Sequence, residues 1–242
     1  MKKTVLAALI AASFLPSLAM AEAGDWVVRA RVVNINPDED SNLTAFTAPP
    51  GGGVRLDGEL TVDSNTIPEL DISYYVTKNI ALELILALGS KHDVKLKKTT
   101  DTLSNTPGFL NENLGEVNVL PPTLTAQWHF NPDQLIDPYV GLGVTYARFL
   151  DKNLKHSGDG PNNTLGVAGG EIEVDRNSWG LALQAGVDIN LEGGWMINAD
   201  VKKLYIDTDV SFKGRDGVFP KQKIDSLDID PWVVGIGVGK RF

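Results

Sequence analysis

The sequence predicts an all-β fold, an eight-stranded antiparallel transmembrane β-barrel with short periplasmic turns and four long extracellular loops. Three observations carry that expectation. Eight segments alternate with a period of two, their connections alternate between long and short, and aromatic residues gather at both ends of the segments.

Residues 1–21 are set aside first. Lys2 and Lys3 form a basic start, Val5 to Leu15 an apolar run, and Ala19-Met20-Ala21 the small-x-small pattern of a cleavage site. The run is shorter than the roughly 20 residues of a membrane-spanning helix. A signal peptide cleaved after Ala21 is therefore expected, leaving 22–242 as the barrel and bacterial outer membrane as the destination. Removing both lysines deepens a net charge that is already −9. Such an acidic chain excludes nucleic acid as a natural partner. The chain has no cysteine, so neither disulfides nor thiol chemistry are available.

The eight segments run in order. Trp26 to Ile35 is the first and Ile67 to Val76 the second, tightly joined through Thr77-Lys78-Asn79 to the third, Ile80 to Gly89. Val117 to Phe130 is the fourth, turning through Asn131 to Asp137 into the fifth, Pro138 to Phe149. Trp179 to Asn190 is the sixth, and Leu191-Glu192-Gly193-Gly194 leads into the seventh, Trp195 to Ile206. The eighth is Leu227 to Phe242. The four long connections are rich in Asp, Asn, Gly, Pro, Ser and Thr, the residues that form turns and loops.

Large apolar residues share one parity and small or charged residues the other. In the third segment Ile80, Leu82, Leu84, Leu86 and Leu88 oppose Ala81, Glu83, Ile85, Ala87 and Gly89. A soluble barrel with its apolar face inward fits that alternation equally well. The aromatics separate the two. Trp128, Phe130, Tyr139, Trp195 and Phe242 fall beside short turns or the C-terminus, and Tyr146, Trp179, Tyr205 and Trp232 toward the long loops. Two girdles bounding an apolar belt mark a membrane barrel whose outer face meets lipid.

The inward parity then holds the candidate functional residues. Arg29, Arg31, Glu69, Asp71, Glu83, Asp188, Asp200 and Lys202 are expected to form a charge network that fills the lumen. Tyr75, Ile85, Phe149, Met196 and Leu204 are the inward apolar residues that would line a path for an apolar substrate. Pro68, Pro121, Pro122 and Pro231 interrupt strands although a closed barrel has no edge to accommodate proline. Pro68 and Pro122 lie about 20 Å up from the periplasmic ends, near the outer edge of the hydrocarbon belt. They either open the wall laterally or only end the membrane-spanning pairing. His92, His129 and His156 are scattered, with no Cys or carboxylate at ligand spacing, so no metal site and no cofactor are expected. Glycines such as Gly141, Gly143 and Gly235 to Gly239 alternate along strands and mark close packing, not phosphate binding. No hydrolase or phosphate-binding motif is present, so no catalytic residue is assigned.

Several segments resemble the outer membrane protein W (OmpW) family: Leu120-Pro121-Pro122-Thr123-Leu124-Thr125-Ala126-Gln127-Trp128-His129-Phe130, Pro138 to Val144, Ser178-Trp179-Gly180, Gln184 to Asp188, Asp230 to Phe242 and the Asn79 to Leu84 hairpin. The resemblance covers most of the chain outside the long loops. It implies an eight-stranded barrel with a narrow lumen that takes up small hydrophobic molecules passively and releases them sideways through its wall. Some members are similar to colicin receptors, others to hydrocarbon-uptake proteins, and the family position of Ile85 implies a constriction. Lys202, Lys203 and Lys240 depart from the pattern, Lys202 by making the lumen more polar and the others by placing ammonium groups near strand ends, where they can snorkel. The implied partners are outer-membrane lipid, small hydrophobic solutes, and barrel-assembly machinery docking at Phe242. The competing readings are a structural or surface-interaction barrel that binds an extracellular protein, and an outer-membrane enzyme with Ser, His and carboxylate clustered at its rim.

Overall fold

Alternating segments with turn-forming connections resolve into sixteen strands among the described residues. The structure, a computed structural model, describes residues 21–41, 46–48, 52–54, 58–87, 89–98, 112–150, 170–214 and 221–242. In chain order the strands are β1 (Trp26–Asn36), β2 (Phe46–Ala48), β3 (Gly52–Val54), β4 (Gly58–Val62), β5 (Asn65–Tyr75), β6 (Ile80–Ala87), β7 (Ser90–Lys98) and β8 (Glu112–Leu120). They continue as β9 (Thr123–His129), β10 (Ile136–Phe149), β11 (Gly170–Val174), β12 (Asn177–Asn190), β13 (Trp195–Tyr205), β14 (Asp207–Gly214), β15 (Gln222–Asp228) and β16 (Trp232–Arg241).

Eight of these close the barrel in the order β12-β13-β16-β1-β5-β6-β9-β10, with β10 pairing back onto β12. Every pairing in the ring is antiparallel. The two ends of the chain meet where Trp26 and Phe242 exchange backbone hydrogen bonds of 3.2 and 2.8 Å. Closure pairs each of these strands on both sides, as a membrane requires, because an unpaired peptide group there would find no water. No helix among the described residues is long and apolar enough to cross a membrane.

Burial settles which face is which. Val32, Leu124, Leu142, Leu181, Ile236 and Val238 all point outward and are exposed. Arg29, Asp71, Glu83 and Asp188 are completely buried. A soluble barrel would be arranged the other way round, so the outer face is built to be solvated by lipid. The lysines on this face reach away from it. Lys203 Nζ donates to Asp38 at 2.9 Å and to the Asp230 carbonyl at 2.6 Å, and sits 5.1 Å from the Trp232 ring centroid. Lys240 donates to the Gly193 carbonyl at 2.6 Å, 4.9 Å from the Trp195 ring.

Four expectations are corrected. The fourth segment is two strands, because Pro121 and Pro122 stop the ladder between β8 and β9. The eighth is also two, broken at Pro231 between β15 and β16. The long connections are not merely loops. They carry β4, β7 and β8, which extend the barrel wall outward, and a separate sheet of β11, β14 and β15. Tyr139 does not belong to the aromatic girdle: it points inward, 1 % exposed, and stacks on His129 at 4.9 Å between ring centroids. Its β10 neighbours Ile136 and Val140 are the outward residues. The signal segment 1–20 and His156 lie outside the described residues.

Candidate functional site: a charged floor, an apolar chamber and a broken wall

β1 delivers two arginines to the middle of the barrel because inward positions recur at every second residue. Their stems need space, and β16 provides it by having no side chain opposite them. Arg29 is paired with Gly239 and Arg31 with Gly237. A Cβ on Gly237 would come within 2.8 Å of both Cα and Cγ of Arg31, and one on Gly239 within 2.8 Å of Arg29 Cγ. The guanidinium groups thereby reach across the lumen.

Arg29 holds Asp188 in a two-point contact, Nε to Oδ1 at 3.2 Å and Nη2 to Oδ2 at 2.6 Å, and meets Glu83 at 3.2 Å. Arg31 contacts Asp71 at 2.9 Å, Glu83 at 3.2 Å, and Glu69 and Asp200 at 3.3 Å each. Lys202 joins Glu69 at 2.7 Å and Asp200 at 3.1 Å. All eight charged residues expected in the lumen are thus brought into one network. Charges removed from water must be paired this closely to be tolerated. Sequence reading missed the neutral members. Gln127 and Gln184 each donate to Glu83 Oε2, at 2.8 and 2.9 Å, while Asn198 bridges Asp188 and the Tyr139 hydroxyl. Their inward parity in β9, β12 and β13 was the available signal.

Below this network the periplasmic end is closed by a second group. His129 Nδ1 lies 2.7 Å from Asp137, and the Tyr75 hydroxyl is 3.3 Å from the His129 ring nitrogens. Arg241 stacks over Tyr75 at 5.2 Å. Sequence spacing gave no hint that His129, Asp137 and Asp188 would converge, with ligand atoms within 4.8 Å of one another. Their oxygens are already engaged: Asp137 accepts from His129 and the Asn131 amide, Asp188 from Arg29 and Asn198. The cluster is therefore a hydrogen-bonded closure whose donors are committed to protein partners.

Above the network the lumen changes character. A cavity of about 90 Å³ is walled by Ile35, Ile85, Val117, Phe149, Leu204 and Val233 among others. Its lining is almost wholly apolar, and Glu69 and Lys202 form its floor. The extracellular strands complete it: Val94 comes from β7, Val117 and Val119 from β8, Val174 from β11, and Leu227 from β15. Of the five residues expected to line an apolar path, Ile85, Phe149 and Leu204 meet here. Tyr75 and Met196 do not. They pack with Val27 and Ala81 in a separate periplasmic cluster, on the far side of the charges.

Beside this chamber the wall is interrupted. Ile85 pairs with Thr123 and Ser90 with Val119. Between those registers the described residues form no β-pair, and Pro121 and Pro122 occupy the facing chain. On the other flank of β6 the ladder to β5 ends at Glu69 and Ala87, one residue below Pro68. Three of the four prolines therefore surround the upper end of β6. Pro231 sits elsewhere, and the wall around it stays bonded: Leu204 donates to its carbonyl at 3.1 Å, and Ile229 to Ile206 at 2.9 Å. Pro121 and Pro231 both line the chamber.

With this geometry in view, comparison with known proteins places the chain. Residues 22–242 match the OmpW family. The chain belongs to that family. It is 34 % identical over 244 residues to outer membrane protein W of Salmonella typhimurium, covering 100 % of each chain. It is 25 % identical over 232 residues to the dibenzothiophene metabolism operon protein PahQ of Pseudomonas aeruginosa, covering 94 % of this chain and 93 % of that one. Among solved structures it resembles OprG from Pseudomonas aeruginosa, with a TM-score of 0.74 at 30 % identity, covering 93 % of this chain and 99 % of that one. This OmpW-family member is an outer-membrane β-barrel.

Proposed function

We propose that this OmpW-family barrel is a passive conduit for small hydrophobic molecules, which enter the chamber from outside and leave sideways through the wall at Pro121 and Pro122. The observation that carries the reading is an apolar chamber that stops on a charged floor and adjoins a stretch of wall in which the described residues form no β-pair. An apolar molecule gains by leaving water for the chamber. It has no reason to continue downward, since passing the network would separate buried ion pairs. The flank of β6 is the low-cost exit, because missing ladder bonds need not be broken there and the membrane's hydrocarbon lies outside. Similarity to a protein of a dibenzothiophene metabolism operon supports an apolar cargo. In this reading Ile85, Phe149 and Leu204 line the path and Glu69 and Lys202 deflect it.

Uptake of a labelled alkane or polycyclic aromatic by cells with and without the protein tests the conduit. Faster uptake with the protein is expected. Replacing Pro121 and Pro122 by Val restores two backbone donors to the wall and is expected to slow uptake severalfold while leaving the folded barrel intact. Unchanged uptake by a correctly folded Pro121→Val/Pro122→Val protein overturns the lateral exit, and identical uptake with and without the protein overturns the conduit.

A further inference from the structure

The extracellular extensions of the barrel end in two strand edges that share one segment of chain. β4 is the last strand of the wall extension β8-β7-β4, and β15 is the last strand of the separate β11-β14-β15 sheet. Residues 38–41, which follow β1 and Pro37, run between these edges as a strap. On the β15 side the strap is held by backbone. The Asp38 amide donates to the Ile229 carbonyl at 3.0 Å, and Asp40 and Asp228 exchange amide-to-carbonyl bonds of 3.0 and 3.1 Å. On the β4 side it is held through its side chains, the Leu60 amide donating to Ser41 Oγ at 3.0 Å and the Val62 amide to Glu39 Oε1 at 3.3 Å. Ser41 ties the two sides together, since its hydroxyl donates to Asp225 at 2.5 Å. Pro37, Val62, Leu227 and Ile229, beside these contacts, all line the chamber.

The strap is docked against like charge. Asp228 is the register partner of Asp207 in β14 on one side and of Asp40 on the other. Directly opposite positions in neighbouring strands share a face, so three carboxylates stand in a row across three stretches of chain. All three residues are exposed. Like charges so placed weaken the pairing that holds them together. Desolvation, and then the carboxylates of Asp230, Asp207, Asp40 and Asp225, hold the Asp228 carboxyl above its ordinary range. The neighbouring cations reach partners outside the row: Lys203 donates to Asp38 and to the Asp230 carbonyl, and Lys223 pairs with Asp209.

We propose that the strap 38–41 is a gate on the extracellular side of the chamber, which parts from β15 to admit solute and is loaded toward opening by the Asp40–Asp228–Asp207 row. This rests on the conduit reading and adds its regulation. Entry from outside needs an opening through the extension, and among the described residues neither the free edge of β4 nor that of β15 is covered by another strand. Parting from β15 breaks three backbone bonds and relieves the repulsion that strained them. Conditions that weaken the repulsion therefore close the gate. Salt does so by screening exposed charges. Acid does so too, because a carboxyl whose pKa is raised in the docked state favours docking as the pH falls.

Exchange of the Asp40 and Asp228 amides, followed by NMR on the protein in lipid nanodiscs, reads the docking, and uptake of an apolar solute by cells reads the gate. A fixed neutral pH keeps His92 from contributing. Asp228→Asn removes the centre of the row and is expected to raise the protection of both amides about threefold. Glu192→Gln, in a periplasmic turn, removes one charge elsewhere and should change neither. Raising salt from about 0.05 to 0.5 M should raise protection in the natural protein and have little effect on Asp228→Asn. Asp40 and Asp228 also stand as a hydrogen-bonded cross-strand pair, so Asp40→Cys/Asp228→Cys can be stapled shut in a chain without native cysteine. The oxidised form is expected to take up solute at least fivefold more slowly than the reduced form. Equal uptake by the two forms overturns the gate while leaving the conduit standing, as does amide protection that neither Asp228→Asn nor salt moves. Equal uptake by cells with and without the natural protein overturns the conduit reading and the gate built on it.

Discussion

Glu83 draws together both arginines and both glutamines of the lumen. It receives hydrogen bonds from Arg29 and Arg31 at 3.2 Å, from Gln127 at 2.8 Å and from Gln184 at 2.9 Å. Removing its charge leaves two guanidinium groups facing a weaker acceptor in a space closed to water. Glu83→Gln is expected to destabilise the barrel by about 3–5 kcal/mol, the usual cost of breaking a buried ion pair from one side. Urea unfolding of protein reconstituted in vesicles measures it, and a loss below 1 kcal/mol would mean that the network is not cohesive. Outside the membrane-spanning strands, His92 gives a pH dependence of known sign. Its burial lowers the imidazole pKa, so the folded protein resists a proton that the unfolded chain accepts near pH 6.5. Stability is full above about pH 6.5 and falls as the pH drops toward the folded-state value. The protection of β7 amides, with exchange corrected for its intrinsic pH dependence, should therefore fall between pH 7.5 and 5.5, and His92→Gln should remove that fall. The charged members of the network were legible from parity alone. Gln127, Gln184 and Asn198 were not singled out, because neutral amides on an inward parity look like ordinary filling until their partners are known. His92 was named only as one of three scattered histidines, because its contacts with Asp63 and Ser90 lie in connections whose fold depends on pairing with distant strands.

At the scale of elements, alternation was enough to find all eight barrel strands and the short turns. It failed where pairing is decided by chain outside the segment. β4 finds β7, with Glu59 opposite Lys97, and β11 finds β14, with Glu171 opposite Lys213. Turn-forming composition had assigned these stretches to loops, since tertiary pairing overrides so weak a local preference. The prolines were the strongest local signal: Pro121, Pro122 and Pro231 mark breaks, at the ends of β8 and β15, whereas Pro68, expected to interrupt the second segment, lies inside a continuous β5 opposite Val32, as a proline can where its missing N–H is not called on. Glycine in β16 is a second legible device. Gly237 faces the β1 backbone so closely that a side chain there would displace Arg31. Gly237→Val is expected to lower the fraction of chains that refold into the compact, heat-modifiable form on gels. Refolding at the original yield would show that β1 and β16 tolerate separation.

For the whole molecule, the decisive feature is a division of the lumen into two levels. The periplasmic level is filled by paired charges and a His129–Asp137 closure, and the extracellular level is apolar and extends beyond the barrel on β7, β8 and the β11–β14–β15 sheet. Sequence parity treated the inward face as one surface, and so grouped Tyr75 and Met196 with Ile85, Phe149 and Leu204. Depth along the strand separates them, and depth cannot be read until the register between strands is fixed. The division also makes the central proposal directly testable, because a blocked lumen leaves the wall beside β6 as the route inward. The natural chain has no cysteine, so a redox-controlled staple can be introduced cleanly. Ile85 and Thr123 form the last register pair below the interruption, at a separation typical of cross-strand neighbours and compatible with a disulfide. The measurement is the initial uptake rate of an apolar solute by Ile85→Cys/Thr123→Cys protein, oxidised and then reduced, beside an Ala147→Cys/Ser178→Cys control that staples the β10–β12 wall. Lateral exit at β6 is expected to give at least fivefold slower uptake in the oxidised 85–123 protein, recovery on reduction, and no redox effect in the control. Equal rates for the oxidised and reduced 85–123 protein would contradict it.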